Sequence, residues 1–103
     1  MPQMIRHMLL FSVAAHVDKA MEEYLLEGLR ELPSLFPQIR DFALGVNMSR
    51  RDDAYTYGMT MIFADVTAME SYLTSDIHET FVATRFTPVI ERRAIVSFEV
   101  EGE

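Results

Sequence analysis

Residues 4–13 constrain the fold more than any other stretch of the sequence, because both faces of this predicted strand are apolar. In an extended strand, successive side chains point to opposite sides of the sheet. One side carries Ile5, His7, Leu9, Phe11 and Val13, and the other carries Met4, Arg6, Met8, Leu10 and Ser12. A strand of this kind needs a packing partner on each side, because neither face is suited to water.

Alternating and helical periodicities predict the elements that follow. A helix is expected from the N-cap Asp18 to about Leu32, where Pro33 and Pro37 bracket its end. Its apolar residues recur at intervals of three or four, which is typical of one buried helix face. Further strands are predicted over residues 39–48 and 55–65, separated by the polar loop 49–53.

Two shorter helical segments are predicted next. Thr67 is the expected cap of the first, and a second begins near Ile77, with Asp76 and Glu79 spaced as a capping box. The second segment is expected to kink at Pro88 or to restart with Thr87 as its cap. A last strand is predicted over residues 94–100, followed by a frayed tail over 101–103.

This order predicts an α+β domain of the ferredoxin-like βαββαβ type, with a four-stranded antiparallel sheet and both helical regions on one face. Residues 1–103 are expected to form this single domain. The other face of the sheet is predicted to carry Met8, Leu10, Ile62, Val96 and Phe98. One chain would leave these side chains in water, so we expect a homodimer packed sheet against sheet as an α+β barrel.

Charge and composition exclude several classes of partner. The sequence has 16 acidic and 9 basic residues and a net charge of −7, which argues against nucleic-acid and anionic membrane binding. It contains no cysteine, so disulfides and thiolate metal sites are excluded. Neither a signal peptide nor an apolar stretch of about 20 residues is recognised, and a cytoplasmic location is expected.

Several segments together are similar to a known family. They are the opening run 5–11, the block Pro37-x-Ile39-Arg40-x-Phe42-x-x-Gly45, Phe63 at the end of the third strand, and the run 72–78. From Met4 to Val100 the chain resembles the stress-responsive A/B barrel domain (Dabb) family. The resemblance implies a dimeric α+β barrel with a pocket between sheet and helices.

The same resemblance implies which residues could carry chemistry. The family includes olivetolic acid cyclase, a cofactor-free enzyme whose pocket tyrosine and histidines match Tyr72, His78 and His7 here. Two other pocket residues of the cyclase, a histidine and a tyrosine, are replaced by Tyr57 and Leu29. In this role His78 would be a general base, Tyr72 would orient the substrate and His7 would be a second polar anchor.

Each of these residues also has a purely structural interpretation. His7 could be a buried, hydrogen-bonded core imidazole, His78 a half-wet residue packed beside Asp76, and Tyr72 a core aromatic. The predicted ligand pocket is lined by Leu9, Leu25, Arg40, Phe42, Tyr57, Met59 and Phe81. Arg40 would face the core and hold a carboxylate, whereas an exposed edge position is the alternative.

Three functions stay open at this level. The first is a family protein whose apolar pocket binds or stores a small ligand; the second is a cofactor-independent cyclase or lyase acting on a carbonyl compound. The third is a cofactor-free monooxygenase. No metal is expected, because the three histidines are isolated and lack carboxylates at ligand spacing, and no cofactor motif is recognised.

Overall fold

The structure is a computed structural model that describes residues 4–100. The tail over 101–103, predicted to be frayed, lies outside these residues. The strands and helices follow the predicted order. Three short helical segments, and not the predicted two, lie between the third and fourth strands. In chain order they are β1 (Met4–Val13), α1 (Lys19–Leu35), β2 (Arg40–Val46), β3 (Tyr57–Phe63), α2 (Val66–Leu73), α3 (Asp76–Phe81), a π-helical turn (Val82–Phe86) and β4 (Ile90–Val100).

The strands form one antiparallel sheet in the order β2-β3-β1-β4, which confirms the predicted ferredoxin-like α+β fold. Directly paired residues share a face of the sheet. His7 pairs with Met61 and Ser97, so these three residues lie on the face covered by helices, here called the helix face. Met8 pairs with Thr60 and Val96 on the opposite, outer face.

The core lies between the helix face and the helices. Leu25, Leu29 and Leu32 of α1 are at most 2% exposed, as the predicted apolar periodicity requires. They belong to one cluster with Ile5, Leu9, Phe11, Leu26, Phe36, Ile39, Met59, Met61, Phe63, Tyr72, Phe86 and Val89. No helix in the described part of the chain is long and apolar enough to cross a membrane.

Helix α1 begins as predicted and ends later. The Asp18 carboxylate accepts a hydrogen bond of 2.9 Å from the Met21 N–H, which confirms the N-cap. The helix continues through Pro33 to Leu35, beyond the predicted end at Leu32. Pro33 removes one backbone donor, but the Phe36 N–H still donates to the Leu32 carbonyl at 3.0 Å, so the last turn persists.

The caps of the two short helices differ from the prediction by one or two residues. Asp65, and not Thr67, caps α2, because its carboxylate accepts the Ala68 N–H at 2.8 Å. Ser75, and not Asp76, caps α3, because its hydroxyl oxygen accepts the His78 N–H at 3.1 Å. In both cases the acceptor lies three residues before its donor, as N-cap geometry requires.

The segment around Pro88 also differs from the prediction. The chain neither kinks within a helix at Pro88 nor restarts at Thr87; α3 passes into the π-helical turn, where the Thr87 N–H donates to the Val82 carbonyl at 2.8 Å. Strand β4 then begins at Ile90 instead of residue 94. This earlier start lengthens the β1–β4 pairing.

Strand β2 contains an irregularity that reverses the predicted direction of Arg40. The register shifts between Arg40 and Ala43, and Asp41 has a φ of 50°, in the left-handed region. Arg40 pairs with Ile62 and therefore lies on the outer face, where it is exposed, while Phe42 packs against the core. The prediction that Arg40 faces the core is therefore wrong, because the β-bulge turns its side chain to the outer face.

The outer face carries a group of apolar side chains, and no helix among residues 4–100 covers it. Val96 is 55% and Phe98 45% exposed, and Met8 and Leu10 are half-buried, whereas Ile62 is already buried within the chain. The register places all five on the same side of the sheet, as the strand periodicity predicted. A single chain therefore leaves apolar side chains of this face in contact with water.

Gly28 in α1 allows close packing of the helical segments, and Gly28→Ala is expected to destabilise the fold. A Cβ atom at this position would lie 2.5 Å from the Phe81 ring and 2.8 Å from the Arg85 guanidinium. Alanine gains about 1 kcal/mol of helix propensity, but displacing the Phe81 ring costs more, so we expect a net loss of about 1 kcal/mol in urea unfolding. The exposed Glu27→Ala is the control; a Gly28→Ala chain as stable as wild type would contradict this account.

Candidate functional site

A cavity of about 220 Å³ lies between the helix face and the helical segments. Most of its wall is apolar: Leu9, Leu29, Leu32, Met59, Leu73, Phe81, Val82, Phe86 and Ile95. Four polar side chains complete the lining: His7 from β1, Tyr72 from α2, His78 from α3 and Arg93 from β4. All three predicted catalytic residues therefore line one cavity, while their catalytic roles stay a prediction.

His78 is held with one ring nitrogen available to a ligand. Its Nδ1 lies 3.1 Å from the Leu73 carbonyl oxygen. Because a carbonyl only accepts, Nδ1 carries the proton, and Nε2 of the neutral ring presents its lone pair. Burial lowers the pKa of His78, against the opposing effects of the Leu73 carbonyl and the Glu79 carboxylate. A neutral imidazole near pH 7 is the form that accepts a proton.

Tyr72 lies against His78 and is only 2% exposed, with the two ring centroids 4.5 Å apart. Phe36 also packs against Tyr72 in a T-shaped arrangement, at 4.9 Å between centroids. Burial raises the pKa of the Tyr72 phenol above its ordinary value of 10.0, and no group among residues 4–100 hydrogen-bonds to the hydroxyl. The side chain therefore stays protonated and has an unused donor.

His7 is 5% exposed, and its ring is hydrogen-bonded to a residue of the edge strand β4. Its Nδ1 lies 2.8 Å from the Ser97 hydroxyl, which belongs to the residue paired with His7 across β1 and β4. Burial is the main cause that lowers the pKa of His7, and the charge of His78 acts in the same direction. The charge of His78 thus acts on His7 across the cavity, and only the strand register reveals Ser97 as a partner.

The remaining predicted pocket residues divide into two groups. Leu9, Met59 and Phe81 are among the residues that line the cavity. Leu25 is fully buried in the core instead, and Phe42 packs at the edge of the core, so neither lines the cavity. Arg40 is on the outer face, as described above.

Tyr57 lies apart from the cavity and is bound to α1. Its hydroxyl donates a hydrogen bond to the Glu22 carboxylate. Burial and this carboxylate raise the pKa of Tyr57 to about 12. The phenol therefore connects β3 with the first turn of α1, and Tyr57 is not among the residues that line the cavity.

A family model now identifies the domain. The model described as the stress responsive A/B barrel domain matches residues 5–100. The chain belongs to this family. The match confirms the resemblance inferred from the strand and helix motifs, and it covers all but the first of the described residues. No curated protein sequence matches the chain significantly.

Solved structures with the same fold include one protein described as a member of this family. A Dabb family protein with a ferredoxin-like fold from Mesorhizobium loti is 27% identical, with 97% of this chain and 99% of that chain covered and a TM-score of 0.83. A hydroxynitrile lyase from Passiflora edulis is 16% identical, with 100% and 98% covered and a TM-score of 0.88. A dimeric ferredoxin-like protein of unknown function from Thermobifida fusca is 21% identical, with 97% and 93% covered and a TM-score of 0.81.

The buried histidines predict an acid-sensitive fold. Both His7 and His78 have a pKa below their ordinary value of 6.5, so below that pH the unfolded chain binds more protons than the folded chain. We expect the free energy of unfolding to fall as the pH drops from 6.5 through the lowered values. Urea unfolding between about pH 8 and pH 5 measures this. His7→Asn should reduce the slope and the exposed His16→Asn should not; equal slopes in all three proteins would refute the assignment.

Proposed function

We propose that this protein is a homodimeric enzyme that cleaves or rearranges a small carbonyl- or hydroxyl-bearing molecule, with the acid–base groups supplied by its own side chains. The observation that carries the proposal is the pairing of His78 and Tyr72 in one apolar cavity. His78 offers a proton acceptor, and Tyr72, whose phenol stays protonated, offers a hydrogen-bond donor. Such a pair of perturbed groups in a cavity is typical of an active site.

The chemistry follows from these two groups. For a hydroxynitrile, His78 Nε2 would take the hydroxyl proton while the carbon–carbon bond to cyanide breaks and the oxygen becomes a carbonyl. Cyanide leaves with the electron pair and takes the proton back from His78 as hydrogen cyanide. Tyr72 would donate a hydrogen bond to the oxygen on which charge develops, and the low-polarity wall would strengthen that bond. His7 would be a second polar anchor for the substrate.

A lyase reaction is the first to test, for two reasons. The same acceptor and donor also suit the removal of a proton from carbon next to a carbonyl, which a cyclase requires. A cyclase must in addition form a new carbon–carbon bond, whereas a lyase only breaks one. The Passiflora edulis protein with the same fold is a hydroxynitrile lyase. In this chain the cavity is small, which favours a single ring or a short chain as substrate.

The dimer rests on the outer face. Val96 and Phe98 are exposed beside the half-buried Met8 and Leu10, so a second copy of the sheet would bury all four and cover Ile62 further. The Thermobifida fusca protein of the same fold is dimeric. A self-complementary apolar face of this kind is typical of a two-fold homodimer.

The test measures benzaldehyde release from mandelonitrile, and thermal shifts with small aromatic carbonyl compounds, for the wild-type chain and a variant that lacks the His78 base. We expect turnover by the wild type that depends on His78. Binding without turnover would favour ligand storage as the function. If no hydroxynitrile or carbonyl compound bound at all, the proposal would be rejected.

A further inference from the structure

Arg93 gives the cavity a charge that the proposed acid–base pair does not require. Among the residues that line the cavity it is the only one with a formal charge at neutral pH, and neither aspartate nor glutamate is among them. This is unusual in a chain with a net charge of −7, in which acidic residues outnumber basic ones by 16 to 9. The local charge of the cavity is therefore opposite to that of the whole protein.

The strand register explains why Arg93 reaches the cavity. Arg93 pairs with Phe11 of β1 and therefore lies on the helix face of β4. Strand β4 is an edge strand of the sheet. Arg93 is exposed and its neighbour on the same face, Ile95, is 47% exposed, so β4 forms the open side of the cavity. Arg93 is therefore a lining residue on the side where a ligand would enter or protrude.

Arg93 is also unpaired among the described residues. The adjacent Arg92 lies opposite Ser12 on the outer face and forms an ion pair of 3.6 Å with Glu91. No such carboxylate lies within ion-pair distance of Arg93 in the part of the chain that the structure describes. Glu79 is near His78, but it lines an adjoining surface groove, which shares Leu73, His78 and Val82 with the cavity, and not the cavity itself. Arg93 is thus available to a ligand anion without first losing an internal partner.

We propose that the ligand of this cavity is a small monocarboxylate with a carbonyl or hydroxyl group, such as an aromatic or short-chain oxo acid. Its carboxylate pairs with Arg93 at the open side, its apolar body fills the cavity, and its second oxygen faces His78 and Tyr72. The planar guanidinium can bind both carboxylate oxygens, which also sets the orientation. This inference rests on the proposed function and specifies its substrate class.

Benzoylformate and benzoylformamide provide the test, because they differ only in the charged group. By calorimetry we expect the acid to bind the wild-type chain roughly tenfold or more tightly than the amide. Arg93→Gln should remove this preference by weakening the acid alone, and Arg93→Lys should retain part of it. The matched control Arg92→Gln, on the outer face of the same strand, should bind both compounds as the wild type does.

Two results would overturn the carboxylate assignment. One is equal binding of acid and amide by the wild-type chain, and the other is an acid affinity that Arg93→Gln leaves unchanged while thermal unfolding shows an intact fold. Neither result affects the acid–base proposal, because mandelonitrile has no carboxylate and tests His78 independently. The wild-type chain could also prefer the acid and yet not convert mandelonitrile. That result would show a carboxylate-binding protein without the proposed reaction.

Discussion

Replacing His78 with asparagine is expected to lower the turnover number for mandelonitrile roughly 100- to 10,000-fold, the usual contribution of a general base. Asparagine can place an amide N–H near the position of Nδ1, so the hydrogen bond to the Leu73 carbonyl is retained. It has no lone pair in the position of Nε2. The variant therefore removes the proton acceptor with little change in the packing beside Tyr72. Initial rates at saturating substrate measure the effect.

The matched control for this experiment is His16→Asn, because His16 is exposed and lies outside the cavity. It should retain wild-type rates. Thermal unfolding of both variants separates lost chemistry from lost structure, and a folded His78→Asn chain with full activity would show that the base assignment is wrong. A folded variant that binds the substrate but does not convert it is the result that the structure predicts.

Replacing Phe98 with aspartate is expected to separate the proposed dimer, with a rise in the dimer dissociation constant of roughly 30-fold or more. Phe98 is the largest exposed apolar side chain on the outer face, at 45% exposure in the single chain. A dimer would bury it, and a carboxylate in its place would lose its hydration when the two sheets pack together. Arg6 pairs with Phe98 across β1 and β4, so the new carboxylate has a cation nearby and the protomer is expected to fold.

Sedimentation equilibrium at several protein concentrations measures this change. Ile77→Asp is the matched control, because Ile77 is 54% exposed on α3 and lies outside the sheet. It should leave the dissociation constant unchanged. A wild-type chain that is monomeric at micromolar concentration, or equal weakening by both variants, would rule out the outer face as the interface.

The site was only partly predictable from the sequence. His7 follows directly from strand alternation, because Ile5 and Leu9 must face the core and His7 lies between them. The sequence places Arg40 on the wrong face, because the alternation of side chains breaks at a β-bulge. No pattern of residues in this segment indicates the bulge. Arg93 was missed because residues 90–93 were not recognised as strand, and its side of the sheet was therefore undefined.

The periodicity of apolar residues by itself determined the order of the elements, the two faces of the sheet and the need to cover the outer one. These are local properties, because the repeat of a strand or helix decides which side chains share a side. Only the tertiary structure decided that His7, Tyr72, His78 and Arg93 line one cavity, and that Nδ1 is the ring nitrogen of His78 that is hydrogen-bonded among residues 4–100. Those features depend on strand register, a bulge and helix ends, which arise from contacts between residues far apart in the chain.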